Sequence, residues 1–207
     1  EAYNNLGNVF VDLKKSKDSL QYFKKAIELK SNYAEAYNGL GAANEKLGNK
    51  NDALKNYQRA TEIRSDYSEA YNNIGKLFSD QGKFDESLSN YKKAIKANPK
   101  YEKSYNNLGN LLNNLGNFDE ATKAYKKAID IKPDYAKAYS NLLFNLIYKK
   151  DFDIKFYLSE AKKFRKNCET IKKKISFDYK YESKPKKLKV GFVTADFGNH
   201  PGGFFTL

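Results

Sequence analysis

The 207-residue sequence contains no methionine, one histidine and one cysteine. Cys168 alone closes no internal disulfide, which fits a reducing compartment and sets the expectation of a cytoplasmic protein. No run of 18 apolar residues occurs; the longest apolar stretch, around residues 142–148, is interrupted by Asn145. No membrane-spanning helix is therefore expected. No secretory leader is visible. With Glu1 first and no initiator, the chain is expected to be a piece of a longer one. What it does have is 40% hydrophobic and 15% aromatic residues, enough to build a sizeable core.

The formal charge of +13 is unevenly placed. Residues 149–189 hold 15 Lys/Arg against 6 Asp/Glu, whereas residues 1–148 hold 23 against 18. A basic segment attracts nucleic acid or anionic lipid, but it is also the ordinary composition of a solvated linker. No aromatics interleave with the cations in an RNA-binding pattern, so the linker reading stands and no specific nucleic-acid partner is expected.

Internal repetition sets the architecture. Ala2-Tyr3-Asn4-Asn5-Leu6-Gly7 returns as Ala36-Tyr37-Asn38-Gly39-Leu40-Gly41 and as Ala70-Tyr71-Asn72-Asn73-Ile74-Gly75. It returns again as Ser104-Tyr105-Asn106-Asn107-Leu108-Gly109 and, weakened, as Ala138-Tyr139-Ser140-Asn141-Leu142-Leu143. A second segment recurs in step, with Tyr22-Phe23, Asn56-Tyr57, Asn90-Tyr91 and Ala124-Tyr125 opening each copy. Every step is 34 residues without insertion. In period and pattern these residues resemble the tetratricopeptide family, which implies an all-α superhelical solenoid of antiparallel helix pairs.

The pattern has its own physical reading. Tyr71, Ile74, Gly75 and Phe78 fall at i, i+3, i+4 and i+7, one apolar stripe of a first helix. Ser87, Tyr91 and Ala94 repeat that spacing in a second helix, small residues admitting large ones. Gly48, Gly82 and Gly116 separate the helices; Asp85 and Asp119 are placed to cap the second helix, and Pro99 and Pro133 end it, where other units have Ser31 and Ser65. One hairpin cannot bury its apolar face alone, so neighbours stack and leave a groove.

At about 100° per residue, the face opposite the stripe begins at the two residues after Tyr and the one after Gly. Ten of those fifteen slots are asparagine: Asn4, Asn5, Asn8, Asn38, Asn72, Asn73, Asn106, Asn107, Asn110 and Asn141. Gly39, Ala42, Lys76, Ser140 and Phe144 fill the rest. A carboxamide both donates and accepts, so a row of them can pair with the N–H and C=O groups of an extended peptide. The alternative is that these amides bond to neighbouring helices and merely solubilise the face. On the peptide reading, alanine at Asn5, Asn73, Asn107 and Asn141 is expected to weaken binding and spare the fold. A clamp for a partner's C-terminal carboxylate needs converging cations, and these slots offer only Lys76.

After residue 148 the period fails. Residues 152–174 read as one or two basic helices with Phe156, Tyr157, Ala161 and Phe164 on the apolar side. Residues 149–187 thus form a basic helical connector ending in a polar stretch with Pro185. Residues 188–197 read as a buried strand, followed by the turn Gly198-Asn199-His200-Pro201-Gly202-Gly203. A strand, glycine-rich turn and helix start open a Rossmann-like domain. The turn is neither a P-loop nor GxGxxG. The expected organisation is a repeat array over residues 1–148, made of four full units and a fifth first helix, then the connector over 149–187, and the first strand and turn of a truncated α/β domain over 188–207.

Val190-Gly191-Phe192-Val193-Thr194-Ala195-Asp196-Phe197-Gly198-Asn199-His200-Pro201 resembles the opening of the catalytic region in protein O-linked N-acetylglucosaminyltransferases, which follow tetratricopeptide arrays. Phe204 stands where animal members commonly carry a second histidine, a departure toward the bacterial branch. The resemblance implies a UDP-N-acetylglucosamine donor, no cofactor or metal in this segment, Ser/Thr-bearing protein substrates delivered by the array, and a catalytic place for His200. A neutral imidazole there would take the acceptor hydroxyl's proton. The competing expectation is a scaffold or adaptor that binds extended peptides and has no enzymatic activity.

Overall fold

The computed structural model describes residues 1–172, and these residues are helical throughout apart from short connections. The helices come in pairs: α1 (Ala2–Asp12) with α2 (Ser16–Leu29), α3 (Ala34–Lys46) with α4 (Lys50–Ile63), and α5 (Ser68–Ser79) with α6 (Phe84–Ala97). Then follow α7 (Glu102–Asn114) with α8 (Phe118–Ile131), and α9 (Ala136–Ile147) with α10 (Ile154–Lys172). From α3 onward, first helices start 34 residues apart, as do α2, α4, α6 and α8. The strand and turn read from residues 188–203, and His200 with them, lie outside the described residues.

Helix ends follow local chemistry. Gly48, Gly82 and Gly116 take φ of +83°, +73° and +76°, a left-handed geometry that stops the first helix. In the first unit Lys14 holds that place at φ +60° without glycine's freedom. Each of α2, α4, α6 and α8 stops when Lys30, Arg64, Asn98 or Lys132 turns extended, just ahead of Ser31, Ser65, Pro99 and Pro133. The expected aspartate caps are not formed. Lys83 and Asn117 occupy the N-cap positions of α6 and α8, neither making a side-chain cap bond. Asp85 and Asp119 instead lie inside the first turn, where their charge favours the positive end of the helix dipole. A side-chain cap does form at α10: Asp153 Oδ1 accepts from the backbone N–H of Lys155 and Phe156, at 2.8 and 3.2 Å.

Packing within a hairpin depends on a glycine of the first helix meeting an aromatic of the second. A Cβ on Gly75 would lie 2.8 Å from the Tyr91 ring, and Gly41 and Gly109 meet Tyr57 and Tyr125 in the same way. Between hairpins, apolar clusters bridge successive units, such as Ala34, Ala60, Tyr67 and Ala70, or Ala53, Tyr57, Ile74 and Leu77. The largest joins α8, α9 and α10, where Phe156, Tyr157 and Phe164 pack against a core containing Tyr125, Tyr139, Leu142 and Leu146. Helix α10 therefore lies on α9 as the second helix of a fifth hairpin.

First helices touch one another across units: α1 meets α3, α5 meets α7, and α7 meets α9, whereas second helices meet only first helices in this way. In a curved two-layer stack, the layer whose members touch is the inner one. The odd-numbered helices thus line the inside of the solenoid.

Candidate functional site

The inner layer carries the asparagines, and the structure divides them into two rows. Asn4, Asn38, Asn72 and Asn106, directly after the repeat tyrosine, are buried, at 6%, 6%, 4% and 1% exposure. Asn73, Asn107, Asn110 and Asn141 are half-buried, and of the ten only Asn5 and Asn8, on α1, are exposed. The helical angle alone puts all ten on the open face. The buried row is covered because the next unit's first helix lies against it.

The two rows are joined across units. Asn73 Nδ2 donates to Asn38 Oδ1 at 3.0 Å, Asn107 Nδ2 to Asn72 Oδ1 at 3.0 Å, and Asn141 Nδ2 to Asn106 Oδ1 at 2.9 Å. Each bond spans 35 residues, from the outer amide of one unit to the buried amide of the preceding one. Asn141 Nδ2 also reaches Asn110 Oδ1 at 2.9 Å, and that oxygen accepts from the Tyr125 hydroxyl at 2.9 Å. The expectation that alanine in the outer row would spare the fold fails on this geometry. Removing such an amide strips a buried acceptor of its partner, which costs about 1–3 kcal/mol. The outer amides still keep hydrogen-bonding capacity: Asn73 spends one N–H here, and Asn141 spends N–H groups only.

One rung is missing. Gly39 stands where the other units place the outer asparagine, and Asn4 Oδ1 is buried without a partner. The cause is Phe23, whose ring fills the space at Gly39; a Cβ there would lie 2.3 Å from Phe23 Cε1. In this unit the amide pair gives way to aromatic packing.

Charge on this face is balanced locally. Lys76, the one cation among the fifteen slots, is ion-paired with Glu45, which also accepts from the Tyr57 hydroxyl at 2.8 Å. Burial, reinforced by Glu45, pushes the Tyr57 phenol far above its ordinary range. A cation already neutralised by a neighbour is a poor anchor for a carboxylate, so among these slots none offers an unpaired charge to one. Among the described residues no group of His, Cys, Asp or Glu is arranged to hold a metal, and no helix is long and apolar enough to cross a membrane.

Two features of the site escape sequence reasoning. A further inter-unit amide pair joins Asn113 Nδ2 to Asn145 Oδ1 at 2.7 Å, with Asn145 Nδ2 donating to the Phe118 carbonyl and the Thr122 hydroxyl. Asn145, inside the longest apolar run, is the available signal: a polar residue there needs a built partner. The other is the apolar end of the face. Phe144 is among the fifteen slots, but Ile147 and Tyr148 are not, and all three are exposed.

Comparison with known proteins agrees with this architecture. The tetratricopeptide repeat family matches residues 1–66 and 102–135, and a TPR repeat family matches residues 75–116. No curated protein matches the sequence. Among solved structures, a crystal structure of MamA protein is 23% identical with a TM-score of 0.65, covering 87% of this chain and 97% of its own. TTC0263, a thermophilic TPR protein of Thermus thermophilus, is 20% identical at a TM-score of 0.66, covering 86% and 92%. YrrB, described as a TPR protein with an unusual peptide-binding site, is 21% identical at a TM-score of 0.57, covering 80% and 84%. At these identities the likeness speaks for the fold alone. With the 34-residue spacing of its helices and the glycine–aromatic contacts inside its hairpins, the chain is a tetratricopeptide repeat array.

Proposed function

We propose that the inner face holds an extended peptide segment of a partner protein by its backbone. The observation that carries this reading is the outer amide row of Asn73, Asn107 and Asn141, half-exposed and held in register by the buried amides behind it. An amide already fixed by one bond loses less rotamer freedom when it makes another, so a pre-set row binds at lower entropic cost than free side chains. Backbone pairing is indifferent to peptide sequence, which suits a scaffold or adaptor serving several partners. The peptide-binding site attributed to YrrB is consistent with this use of the fold.

The test is to titrate the protein with unstructured peptides of unrelated sequence and with the same peptides N-methylated along the backbone. Unrelated peptides are expected to bind with similar affinity, and methylation to weaken all of them. Equal binding of methylated and plain peptides would overturn the reading.

A second reading rests on residues 190–201, which resemble the opening of a protein O-linked N-acetylglucosaminyltransferase catalytic region. On that reading the array delivers Ser/Thr-bearing segments to a nucleotide-sugar site that includes His200. Labelled UDP-N-acetylglucosamine, supplied with a groove-binding peptide to the polypeptide as its gene encodes it, would then yield sugar-bearing peptide. Absence of transfer would leave the adaptor reading alone.

A further inference from the structure

Among the fifteen slots charge is balanced locally, but one turn nearer the helix start it is not. The residue four places before the outer-amide position lies on the same side of its helix, about 40° of rotation away. It is Glu35 in α3, Glu69 in α5, Lys103 in α7 and Lys137 in α9, so the sign reverses between the third and fourth units. Glu35 is already neutralised, by Arg64 at 2.6 Å. One repeat later Asn98 takes the place of Arg64, and Glu69 is exposed without an ion pair among the described residues. In the next unit Lys132 holds that place and pairs with Glu102, at 4.0 Å. Lys103 stays exposed, its ammonium 5.9 Å from the centre of the Tyr101 ring, and Lys137 is exposed as well. Neither lysine forms an ion pair among the described residues. Two turns beyond the amides, Asp80 adds a second open carboxylate to unit three, where units four and five have Asn114 and Tyr148. Helix chemistry does not call for these lysines. All four residues sit in a first turn, where the positive end of the dipole favours an acid; Glu35 and Glu69 follow that preference, and Lys103 and Lys137 stand against it.

We infer that the inner face selects extended peptides of mixed charge, a basic side chain meeting Glu69 and acidic side chains meeting Lys103 and Lys137. The proposal rests on the peptide reading of the inner face and names the class of segment it takes. Charge complementarity assigns the occupant: one open carboxylate and two open ammonium groups stand in line beside Asn73, Asn107 and Asn141. Packed helices lie about 8–10 Å apart. A chain in the polyproline II conformation advances about 3.1 Å per residue and returns to the same side every third residue, so one unit matches three peptide residues. That conformation makes no internal hydrogen bonds, which leaves its N–H and C=O groups to the amides. The amides hold any backbone, and the charges choose its register. Each exposed pair is weak, so selectivity comes from three acting together and falls as salt is added.

The experiment titrates three peptides of alanine, serine and threonine, acetylated, amidated and bearing the same uncharged fluorophore. One is plain, one carries Lys-x-x-Glu-x-x-Glu, and one carries glutamate at all three places. Wild type is expected to bind the mixed peptide about tenfold more tightly than the plain one at low salt, and more tightly than the all-acid one. Glu69→Lys should reverse the order of mixed and all-acid peptides, and Lys103→Glu/Lys137→Glu should remove the preference for mixed over plain. Glu69→Gln, which removes only the charge, serves should Glu69→Lys unfold, and it should close the gap between mixed and all-acid. Plain and mixed peptides bound equally by wild type would overturn the charge selection and leave the amide row standing. An all-acid preference that Glu69→Lys does not alter would overturn it too, assigning the attraction to the +13 charge of the whole chain. So would a plain peptide with a free C-terminus that binds as tightly as the mixed one, since the lysines would then hold a chain end. Failure of every peptide to bind would overturn the peptide reading and the charge selection with it.

Discussion

Replacing Asn107 with alanine tests whether the amide pairs hold the solenoid together. The substitution removes the 3.0 Å bond to Asn72 Oδ1, leaving that acceptor in a residue only 4% exposed, and the longer 3.4 Å bond that Asn107 Oδ1 accepts from Asn106 Nδ2. An orphaned buried acceptor costs about 1–3 kcal/mol, against which alanine's better helix preference returns about 0.5 kcal/mol. For a chain of this size each kcal/mol moves the melting temperature by about 2–4 °C, so a loss of roughly 1–10 °C is expected. Asn5→Ala is the internal control: Asn5 is exposed on α1, so its removal should leave melting unchanged or slightly raised. A double variant with Asn72→Leu as well removes both partners of the 3.0 Å bond, and its loss should fall short of the two single losses added. Melting followed by far-ultraviolet circular dichroism reads wild type and the four variants, Asn72→Leu alone among them. If Asn107→Ala melts with Asn5→Ala, the inter-unit amides contribute nothing and the reasoning fails.

Three further outcomes follow from buried or strained groups. Ser104 is fully buried with no partner for its hydroxyl, where other units carry alanine, so Ser104→Ala should raise stability by about 1 kcal/mol; an equal loss on denaturant titration would mean the hydroxyl has a partner. Lys14→Gly should stabilise by about 0.5–1 kcal/mol, since φ of +60° costs lysine more than glycine, and a lower melting temperature would show the turn is unstrained. Tyr57, Tyr67, Tyr91 and Tyr125 are all pushed well above the ordinary tyrosine value, chiefly by burial. In the unfolded chain they release protons at about pH 10 while the folded chain retains them, so stability is full below that pH and falls above it. Melting scans from pH 8 to 12, with phenolate absorbance recorded alongside, should show ionisation coinciding with unfolding; phenolate appearing in a folded protein would refute it.

Although the expected aspartate caps are not formed, the repeat, the glycine and proline breaks between helices and the glycine–aromatic contacts inside the first four hairpins are legible in the residues of one unit. These are local: Gly75 and Tyr91 are sixteen residues apart in one hairpin, and the turn glycines and Pro99 and Pro133 act on their own neighbours. A single 34-residue unit contains all the information they need. Even the outcome at α10 was partly legible, since Phe156, Tyr157 and Phe164 mark its apolar side.

Which asparagines meet solvent depends on how the units stack. Asn72 and Asn73 are adjacent in sequence and both point away from the apolar stripe, but about 100° of helical rotation separates them. Whether that rotation puts one under the neighbouring helix depends on how closely successive units approach, and no single unit carries that distance. The partner of Asn107 lies 35 residues away, and the missing rung at Asn4 follows from Phe23 crowding Gly39, a contact between units. Periodicity fixes what each unit offers its neighbours; stacking decides which of those groups are spent on the fold and which remain for a partner.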